Sequence, residues 1–175
     1  MAVTEAEAQA VPLDGVEIRS ALPSDAEALV LLSQELLAFY GLPVRYQRSY
    51  MAHVIAEKAF VDPPMIEILV AMDRGRLIGF LAFNVSFALA NCQTSAFIQD
   101  LFITRKQRAG GVGKRLMNRL AEICVERGVS QLDWTADPWN DKARAFYEAM
   151  GPLLKCDKTY YRMLGPRLTS LAEGR

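Results

Sequence analysis

The sequence predicts an α/β fold in which helices pack on the faces of one mixed sheet. Segments with strand-like and helix-like apolar spacing follow one another as one strand, two helices, three strands, then helix, strand, helix and two final strands. Three consecutive strands joined by short turns favour an antiparallel meander, and the strand–helix–strand unit after them favours a parallel pair. With 175 residues, 51% of them hydrophobic, the chain can bury a single core. We therefore expect a flexible lead over residues 1–14, one domain over 15–165 and a tail over 166–175.

The first 60 residues predict one strand and two helices. Residues 15–20 alternate apolar and polar side chains, which is typical of a half-buried strand. Ser24, with Glu27 three positions later, has the pattern of a capping box for a first helix, which Gly41 ends. A second helix is expected over 47–60, before two consecutive prolines.

The remainder of the chain predicts the rest of the sheet and its helices. Residues 66–72 and 77–87 form a hairpin across a turn that contains Gly75, and a third strand runs over 95–104. The further predicted elements are helices over 113–127 and 140–150 and strands over 129–135, 153–156 and 159–164. The first of these helices has one apolar stripe, formed by Leu116, Leu120, Ile123 and Cys124. The second has Asn140 or Asp141 as its cap.

Composition and charge argue against several classes of protein. Lys and Arg together number 20, as do Asp and Glu, so a net charge of zero gives no electrostatic reason to expect nucleic acid or a membrane surface as partner. No apolar run reaches the length of a membrane span. The acidic start, with Glu5 and Glu7, does not resemble a secretion signal. Three cysteines without a CxxC pair and a single histidine argue against a disulfide framework or a metal centre, and they favour a cytoplasmic protein.

A glycine-rich loop joins the strand over 95–104 to the helix that follows it. Its glycines are Gly110, Gly111 and Gly113, and the cations around them are Arg108, Lys114 and Arg115. Backbone N–H groups at a helix N-terminus converge on an anion, and a residue without a Cβ lets a phosphate approach them closely. The loop therefore predicts a phosphate or pyrophosphate site. It lacks the first glycine and the hydroxyl residue of a Walker loop, and Leu116 stands where a dinucleotide fingerprint needs its third glycine.

Two motifs resemble those of the GNAT superfamily of N-acetyltransferases. Residues 108–113 read R-x-x-G-x-G, which is similar to the family's acetyl-CoA pyrophosphate loop, (Q/R)xxGx(G/A). Residues 140–151 read N-x-x-A-x-x-F-Y-x-x-x-G, which is similar to the second half of the same cofactor site. The resemblance covers residues 16–164 and implies the GNAT fold, with a mixed, mostly antiparallel sheet of about seven strands flanked by about four helices.

The resemblance implies acetyl-CoA as co-substrate and no metal. It implies that Leu101, Phe102 and Ile103 pair through their backbone with the pantetheine arm, as an added strand would. It assigns the arm near the thiol to Asn140, and it makes Ala143 a further cofactor-binding residue. It assigns the diphosphate to Arg108, Ala109, Gly110, Gly111, Val112, Gly113 and Lys114. Ala109 departs from the family pattern, in which glycine usually follows the first residue, and this departure is expected to shift one amide of the loop.

N-acetyl transfer needs a neutral amine and a proton for the departing thiolate. A primary amine with a pKa near ~10.4 is almost entirely ammonium at neutral pH, so a carboxylate, a water chain or desolvation has to lower that cost. The resemblance implies Tyr147 as the proton donor. For the base, polyamine acetyltransferase relatives have Glu just before an Asp, whereas this chain has Gln99 before Asp100. A regular strand would put these two side chains on opposite faces unless a bulge re-aims them.

Four interpretations of the base follow from these residues. Asp100 takes the proton, an ordered water held by Gln99 and a backbone carbonyl takes it, the amine enters already neutral, or Asp100 is a structural carboxylate. The hypothesis that we carry forward is a water-mediated base.

The resemblance also implies where the acceptor binds. In this superfamily the connection between the first two helices usually walls the acceptor site, which makes Tyr40, Arg45 and Tyr46 candidates, and Trp139 is a candidate for lining the pocket. The second motif is most like the branch that acts on small primary amines such as polyamines and thialysine, so a small-molecule amine is the expected substrate. Relatives often form homodimers. The alternatives are a non-catalytic acyl-CoA sensor and a peptide or ribosomal-protein acetyltransferase.

Overall fold

The computed structural model describes residues 15–174, so the lead expected over 1–14 lies outside the described residues. The chain falls into two compact units, of which the first ends at Thr135 and the second begins at Ala136. The single domain expected over 15–165 stays a prediction. None of the helices in the described part of the chain is both long and apolar enough to cross a membrane.

The first unit is organised around a mixed five-stranded sheet. Its strands are β1 (Val16–Ser20), β2 (Glu67–Asp73), β3 (Arg76–Ala88), β4 (Gln93–Ile103) and β5 (Gln131–Asp133). They lie in the order in which they occur in the chain; the first four are antiparallel and β5 runs parallel to β4. Arg74 and Gly75 in the β2–β3 turn have positive φ values of 49° and 78°, as a two-residue hairpin turn of the mirror-image type requires. The predicted meander and the parallel pair after it are confirmed.

Two helices cover one face of this sheet, α1 (Ala26–Phe39) and α2 (Arg48–Ala59). Leu29 of α1 belongs to a buried cluster with Val70, Phe80 and Phe102, one from each of the three central strands. Ile55 of α2 packs against the same cluster. Burying these side chains against the sheet supplies the main driving force for the arrangement.

The entry into α1 differs from the predicted capping box. A short 3-10 turn, Pro23–Asp25, precedes the helix, and Asp25 rather than Ser24 is the N-cap of α1. The Asp25 side chain makes no capping bond to α1; it accepts from the Leu22 N–H, at the start of the 3-10 turn, at 2.7 Å. Asp25 is only 6% exposed and pairs with the Arg19 guanidinium through bonds of 2.6 and 3.0 Å. The hydrogen bond from Arg19 holds the pKa of Asp25 below its ordinary value. Spacing could not separate Ser24 from Asp25, because both residue types cap helices well.

Helix α3 (Val112–Glu126) packs on the opposite face of the sheet. Side chains alternate between the two faces of a strand, so Leu69 and Leu81 point away from the face that carries Val70 and Phe80. Helix α3 contacts β2, β3 and β4 on that second face. The apolar stripe predicted for this helix is confirmed as buried: Leu116, Leu120, Ile123 and Cys124.

Gly79 of β3 faces the end of β4 at close range. A Cβ at this position would lie 2.6 Å from Ile103 Cδ1 and 2.7 Å from the carbonyl oxygen of Phe102. The isoleucine methyl can move, but the carbonyl oxygen moves only if β4 shifts. We therefore expect Gly79→Ala to lower the free energy of unfolding by about 2 kcal/mol, as measured by urea denaturation.

The matched control for this substitution is Gly165→Ala. A Cβ at Gly165 would have no neighbour within 4 Å, so we expect a change in unfolding free energy below about 0.5 kcal/mol. An unchanged denaturation midpoint in Gly79→Ala would contradict a fixed position for the end of β4.

The second unit contains two helices, α4 (Asp141–Glu148) and α5 (Gly165–Ala172). Helix α4 confirms the helix predicted over 140–150, whereas α5 occupies the stretch expected as a tail from residue 166. The strands predicted over 153–156 and 159–164 are wrong, because residues 152–164 have no regular secondary structure. Leu154 is 91% exposed and Tyr161 is 87% exposed, so the apolar pattern is not matched by a buried face. Residues 15–174 therefore contain five strands and five α-helices, not about seven and about four.

Candidate functional site

One edge of β4 is only partly paired. Strand β3 pairs along the length of β4, whereas β5 pairs with it only from Ser95 to Phe97. From Ile98 to Ile103 the edge of β4 remote from β3 therefore has no strand partner among residues 15–174. This segment includes residues 101–103, for which the family resemblance implied pairing with a pantetheine arm. An unpaired strand edge presents N–H and C=O groups that an extended ligand can use.

The glycine loop ends in left-handed backbone at the start of α3. Gly111 is the N-cap, with φ 78° and ψ 0°, and the Arg115 N–H donates to its carbonyl at 3.1 Å. Gly111 has no side chain that could cap this end of the helix. The N–H groups of Val112, Gly113 and Lys114 have no acceptor within the helix, because the first turn has no preceding carbonyls. The positive end of the helix dipole lies at the same place, so this geometry fits an anion such as a diphosphate.

Ala109 is a second left-handed residue of this loop, with φ 67°. Glycine adopts this conformation freely, whereas a Cβ makes it less favourable by about 1 kcal/mol. Ala109 thus has a conformation typical of the glycine usually found at this position in the family pattern. The loop accommodates the substitution through this strained conformation, and Gly111 keeps the N-cap position.

A β-bulge in β4 brings two of the predicted catalytic side chains to the surface. The register shifts between Ala82 and Phe83 of β3, so that Ala82 pairs with Asp100 and Gln99 is the extra residue. Both Gln99 and Asp100 are exposed. The Gln99 Nε2 donates a hydrogen bond to Asn84 Oδ1 at 3.0 Å. The acceptor atom of the same side-chain amide is Gln99 Oε1. The bulge required to re-aim these residues is present.

Asp100 is accessible to solvent and at the same time crowded by protein. Its residue surface is exposed, yet the surrounding atoms displace enough water to raise the pKa of Asp100 above the ordinary value. Paired residues share a face, so Asp100 lies on the face of the sheet that carries Ala82 and α1. A reachable carboxylate with a raised pKa is suited to accept a proton near neutral pH.

Arg108 is exposed to solvent, and its side chain also makes contacts within the protein. Its Nε donates to the Ile103 carbonyl at 3.0 Å, and its Cζ lies 4.9 Å from the Phe39 ring centroid and 5.5 Å from that of Phe102. Desolvation lowers the pKa of Arg108, although arginine remains protonated at neutral pH. The sequence assigned Arg108 to the diphosphate; its guanidinium contacts the last residue of α1 as well as β4.

The connection between α1 and α2 is exposed throughout, from Tyr40 to Tyr50. The Tyr40 ring meets the Phe39 ring edge-on at a centroid distance of 5.3 Å, and the Tyr46 ring packs on Tyr50 at 5.1 Å. Because Phe39 also contacts Arg108, the end of α1, the glycine loop and the end of β4 meet at one place. Tyr40 therefore lies beside this junction.

In the second unit, four predicted site residues belong to α4 or to the turn before it. Asn140 is the N-cap of α4, and its Oδ1 accepts from the Ala143 N–H at 3.2 Å. The predicted role of Asn140 as the helix cap is confirmed. The nitrogen of the same side-chain amide is a hydrogen-bond donor. Tyr147 is half-buried with its ring centroid 5.2 Å from that of Phe146, and Trp139 is 59% exposed.

The sequence did not single out two residues that position these groups. Asn84, which receives the hydrogen bond from Gln99, ends the buried run of β3, and a polar residue at that point was an available signal. Phe39, which contacts Arg108, carried no signal of its own, because an aromatic residue in the last turn of an amphipathic helix is ordinary.

Comparisons with known proteins agree with this geometry. The family model described as "Acetyltransferase (GNAT) family" matches residues 30–151, well over half of the chain. The uncharacterized N-acetyltransferase YhfO of Bacillus subtilis is 28% identical over 136 residues, which are 78% of this chain and 89% of that protein. The thialysine N-epsilon-acetyltransferase of Bos taurus is 24% identical over 142 residues, 78% of this chain and 83% of that protein. The solved structure of the V. cholerae integron cassette protein VCH_CASS6 matches with a TM-score of 0.80 and 28% identity, covering 91% of this chain and 98% of that one.

Proposed function

Because this chain belongs to the GNAT family of acetyltransferases, we propose that it transfers an acetyl group from acetyl-CoA to the primary amine of a small molecule by direct attack in a ternary complex. The observation that carries the proposal is the geometry of the segment from Ile98 to Lys114. It combines a strand edge that no described strand pairs, an exposed carboxylate at a bulge and a helix N-terminus with glycine as N-cap within one strand–loop–helix segment.

Each part of this strand–loop–helix segment suits one part of the co-substrate. The backbone from Leu101 to Ile103 would hold the pantetheine arm, because it can extend the sheet by one strand-like ligand. The amides from Val112 to Lys114 would hold the diphosphate. Asn140 would donate from its amide to the arm. Acetyl-CoA supplies the activated thioester, and no metal is required for its reaction with an amine.

The reaction moves two protons. The neutral amine nitrogen attacks the thioester carbonyl carbon, the C–N bond forms, and the C–S bond breaks to give an acetylated amine and CoA. We assign Asp100 to remove the proton from the nitrogen, directly or through a water oriented by Gln99. Tyr147 is assigned to deliver a proton to the departing sulfur. The raised pKa of Asp100 supports the first assignment, since it brings the carboxyl closer to operating pH.

Charge on the predicted acceptor side favours an amine that also carries a carboxylate. From Leu36 to Tyr50 the chain contains two arginines, Arg45 and Arg48, and no acidic residue. Glu35, the nearest acid before this stretch, interacts electrostatically with Arg108. A polyamine is polycationic and would be repelled, whereas guanidinium groups bind carboxylates in bidentate fashion. The bovine relative is named for thialysine, an amino acid with a side-chain amine.

The exposure of the connection from Tyr40 to Tyr50 supports a second candidate acceptor. A peptide needs an open surface rather than an enclosed pocket, and this wall of the predicted site is open to solvent. The N-terminal amine of a peptide is therefore the alternative acceptor to test.

Thiol release from acetyl-CoA tests these proposals. The panel contains lysine with cadaverine and ornithine with putrescine, two pairs that differ only in the carboxylate, together with thialysine, spermidine and short peptides. We expect lysine and ornithine to exceed their decarboxylated partners in kcat/KM by about tenfold, which is the value of one charge-assisted hydrogen bond. A preference for cadaverine would contradict the carboxylate assignment. Absence of both acyl-CoA binding and thiol release would contradict the proposed function itself.

A further inference from the structure

The Arg108 guanidinium connects three parts of the first unit. It contacts the Phe39 ring at the end of α1 and the Phe102 ring of β4. Its Nε donates a hydrogen bond to the Ile103 carbonyl at the end of β4. The backbone of Arg108 itself begins the glycine loop, which Ala109 continues in left-handed conformation. A single side chain therefore fixes the acceptor-side helix relative to both backbone segments proposed to hold the cofactor.

We propose that Arg108 is a positioning residue, which couples the acceptor side of the site to the cofactor side; this inference rests on the proposed function. The Nε hydrogen bond to Ile103 holds the last carbonyl of β4, which ends the segment proposed to hold the pantetheine arm. The contact with Phe39 makes the orientation of the guanidinium depend on the end of α1. Tyr40, which meets Phe39 edge-on, extends this series of contacts to the predicted acceptor wall.

The contacts that position Arg108 use one of the five N–H donors of its guanidinium. The Arg108 Nε donates to the Ile103 carbonyl, and the guanidinium lies within cation–π distance of two rings. Phe102 is 4% exposed, so one of these rings belongs to the core. Desolvation, the main cause of the lowered pKa of Arg108, reflects the same packing.

Coupling between two sites is reciprocal, so it is visible from either ligand. An acceptor that orders Tyr40 and Phe39 orders Arg108, and CoA bound along β4 orders the same side chain from the other direction. Changes at Phe39, on α1, should therefore alter the affinity for CoA even when no acceptor is present.

The first test compares Arg108→Lys, Phe39→Leu and the double variant by calorimetric titration of CoA without acceptor. Lysine keeps the charge but loses the planar group and the Nε donor, and leucine keeps apolar bulk but loses the ring. We expect each single variant to weaken CoA binding by about fivefold, the size of one cation–π contact at an exposed site, and the double variant to be no weaker than the worse single variant. Phe39→Tyr keeps the aromatic ring and is expected to retain the wild-type affinity for CoA.

The matched control is Arg105→Lys, which makes the same chemical change at an exposed arginine of the preceding turn. We expect its CoA affinity to equal that of the wild type. Additive effects in the double variant, or no effect of Phe39→Leu, would overturn the coupling.

The second test separates positioning from diphosphate recognition by using S-acetylpantetheine, which lacks the diphosphate. If Arg108 positions β4, Arg108→Lys lowers kcat/KM by the same factor with S-acetylpantetheine as with acetyl-CoA. A loss with acetyl-CoA alone would show that Arg108 grips the diphosphate directly and would overturn the proposal. A wild-type enzyme inactive with both thioesters would instead refute the proposed function, so the two failures are distinguishable.

Discussion

Asp100→Asn is expected to lower kcat/KM for the acceptor amine by about 10²- to 10³-fold, because asparagine cannot accept the proton that leaves the attacking nitrogen. The structure places Asp100 at the surface beside the bulged Gln99, where it is accessible to solvent. The affinity for CoA should stay unchanged, since only the Asp100 backbone lies near the predicted cofactor edge. Steady-state kinetics with saturating acetyl-CoA, paired with calorimetric CoA titration, measures both quantities.

The pH dependence follows from the direction of the pKa shift. Desolvation raises the pKa of Asp100, so the base becomes protonated, and activity falls, at a higher pH than for an ordinary aspartate. We expect an acidic limb in the profile of kcat/KM against pH for the wild type and its loss in Asp100→Asn. A profile that keeps this limb in the variant would assign it to another group and contradict the role of Asp100.

The same substitution is expected to stabilise the folded protein at neutral pH. A carboxyl whose pKa is raised by folding binds its proton more tightly in the folded state, so stability falls as pH rises from the ordinary aspartate pKa through the raised one. Asparagine carries no charge, so the variant does not lose stability as the pH rises. Its melting temperature at pH 7 should therefore exceed that of the wild type. The difference should vanish near pH 3, about one unit below the ordinary value, where both side chains are neutral.

This stability readout separates catalysis from the structural interpretation of Asp100. A carboxylate that stabilised the fold through a charge partner would have a lowered pKa, as Asp25 does beside Arg19, and its removal would destabilise the protein. Asp157→Asn, at an exposed position of the second unit, is the matched control and should leave both activity and melting temperature unchanged. Gln99→Leu tests the water-mediated route, which predicts a loss of about tenfold in the variant because its side chain cannot orient a water.

The elements of the first unit were predictable because each has a local cause. Apolar periodicity located α1 and α3, and the glycine turn located the β2–β3 hairpin to within a residue or two. The N-terminus of α3 was predictable because glycine in left-handed backbone before a helix has a distinct pattern, and Gly111 has that conformation.

Features that depend on contacts between distant residues could not be predicted. The bulge at Gln99 depends on how β4 registers against β3, and its presence was only a condition in the sequence interpretation. The contact between Arg108 and Phe39 joins residues far apart in the chain, so neither residue type nor spacing indicated it. Residues 152–164 show the converse case: an apolar pattern was present, but a strand also needs a partner and a buried face.

Tyr147→Phe is expected to lower kcat by about 10²-fold with no change in CoA affinity, because the phenol hydroxyl is proposed to protonate the leaving sulfur. Tyr147 is half-buried in α4, and its ring packs against Phe146, so phenylalanine should preserve the packing of the helix. The loss of kcat should therefore exceed what any change in stability explains. Thiol release at saturating concentrations of both substrates, with urea denaturation of the same variant, measures the two effects.

The pH dependence of this deficit distinguishes acid catalysis from a positioning effect. A thiolate needs a proton donor less as the solution pH rises above the pKa of an ordinary thiol, near ~8.5, so the ratio of wild-type to Tyr147→Phe activity should shrink at pH 9 and above. A ring that merely positioned the substrate would give a ratio independent of pH. Tyr161→Phe, at a tyrosine of the same unit that is 87% exposed, is the matched control and should retain wild-type turnover. Unchanged turnover in Tyr147→Phe would remove this residue from the mechanism and leave solvent water as the donor to the sulfur.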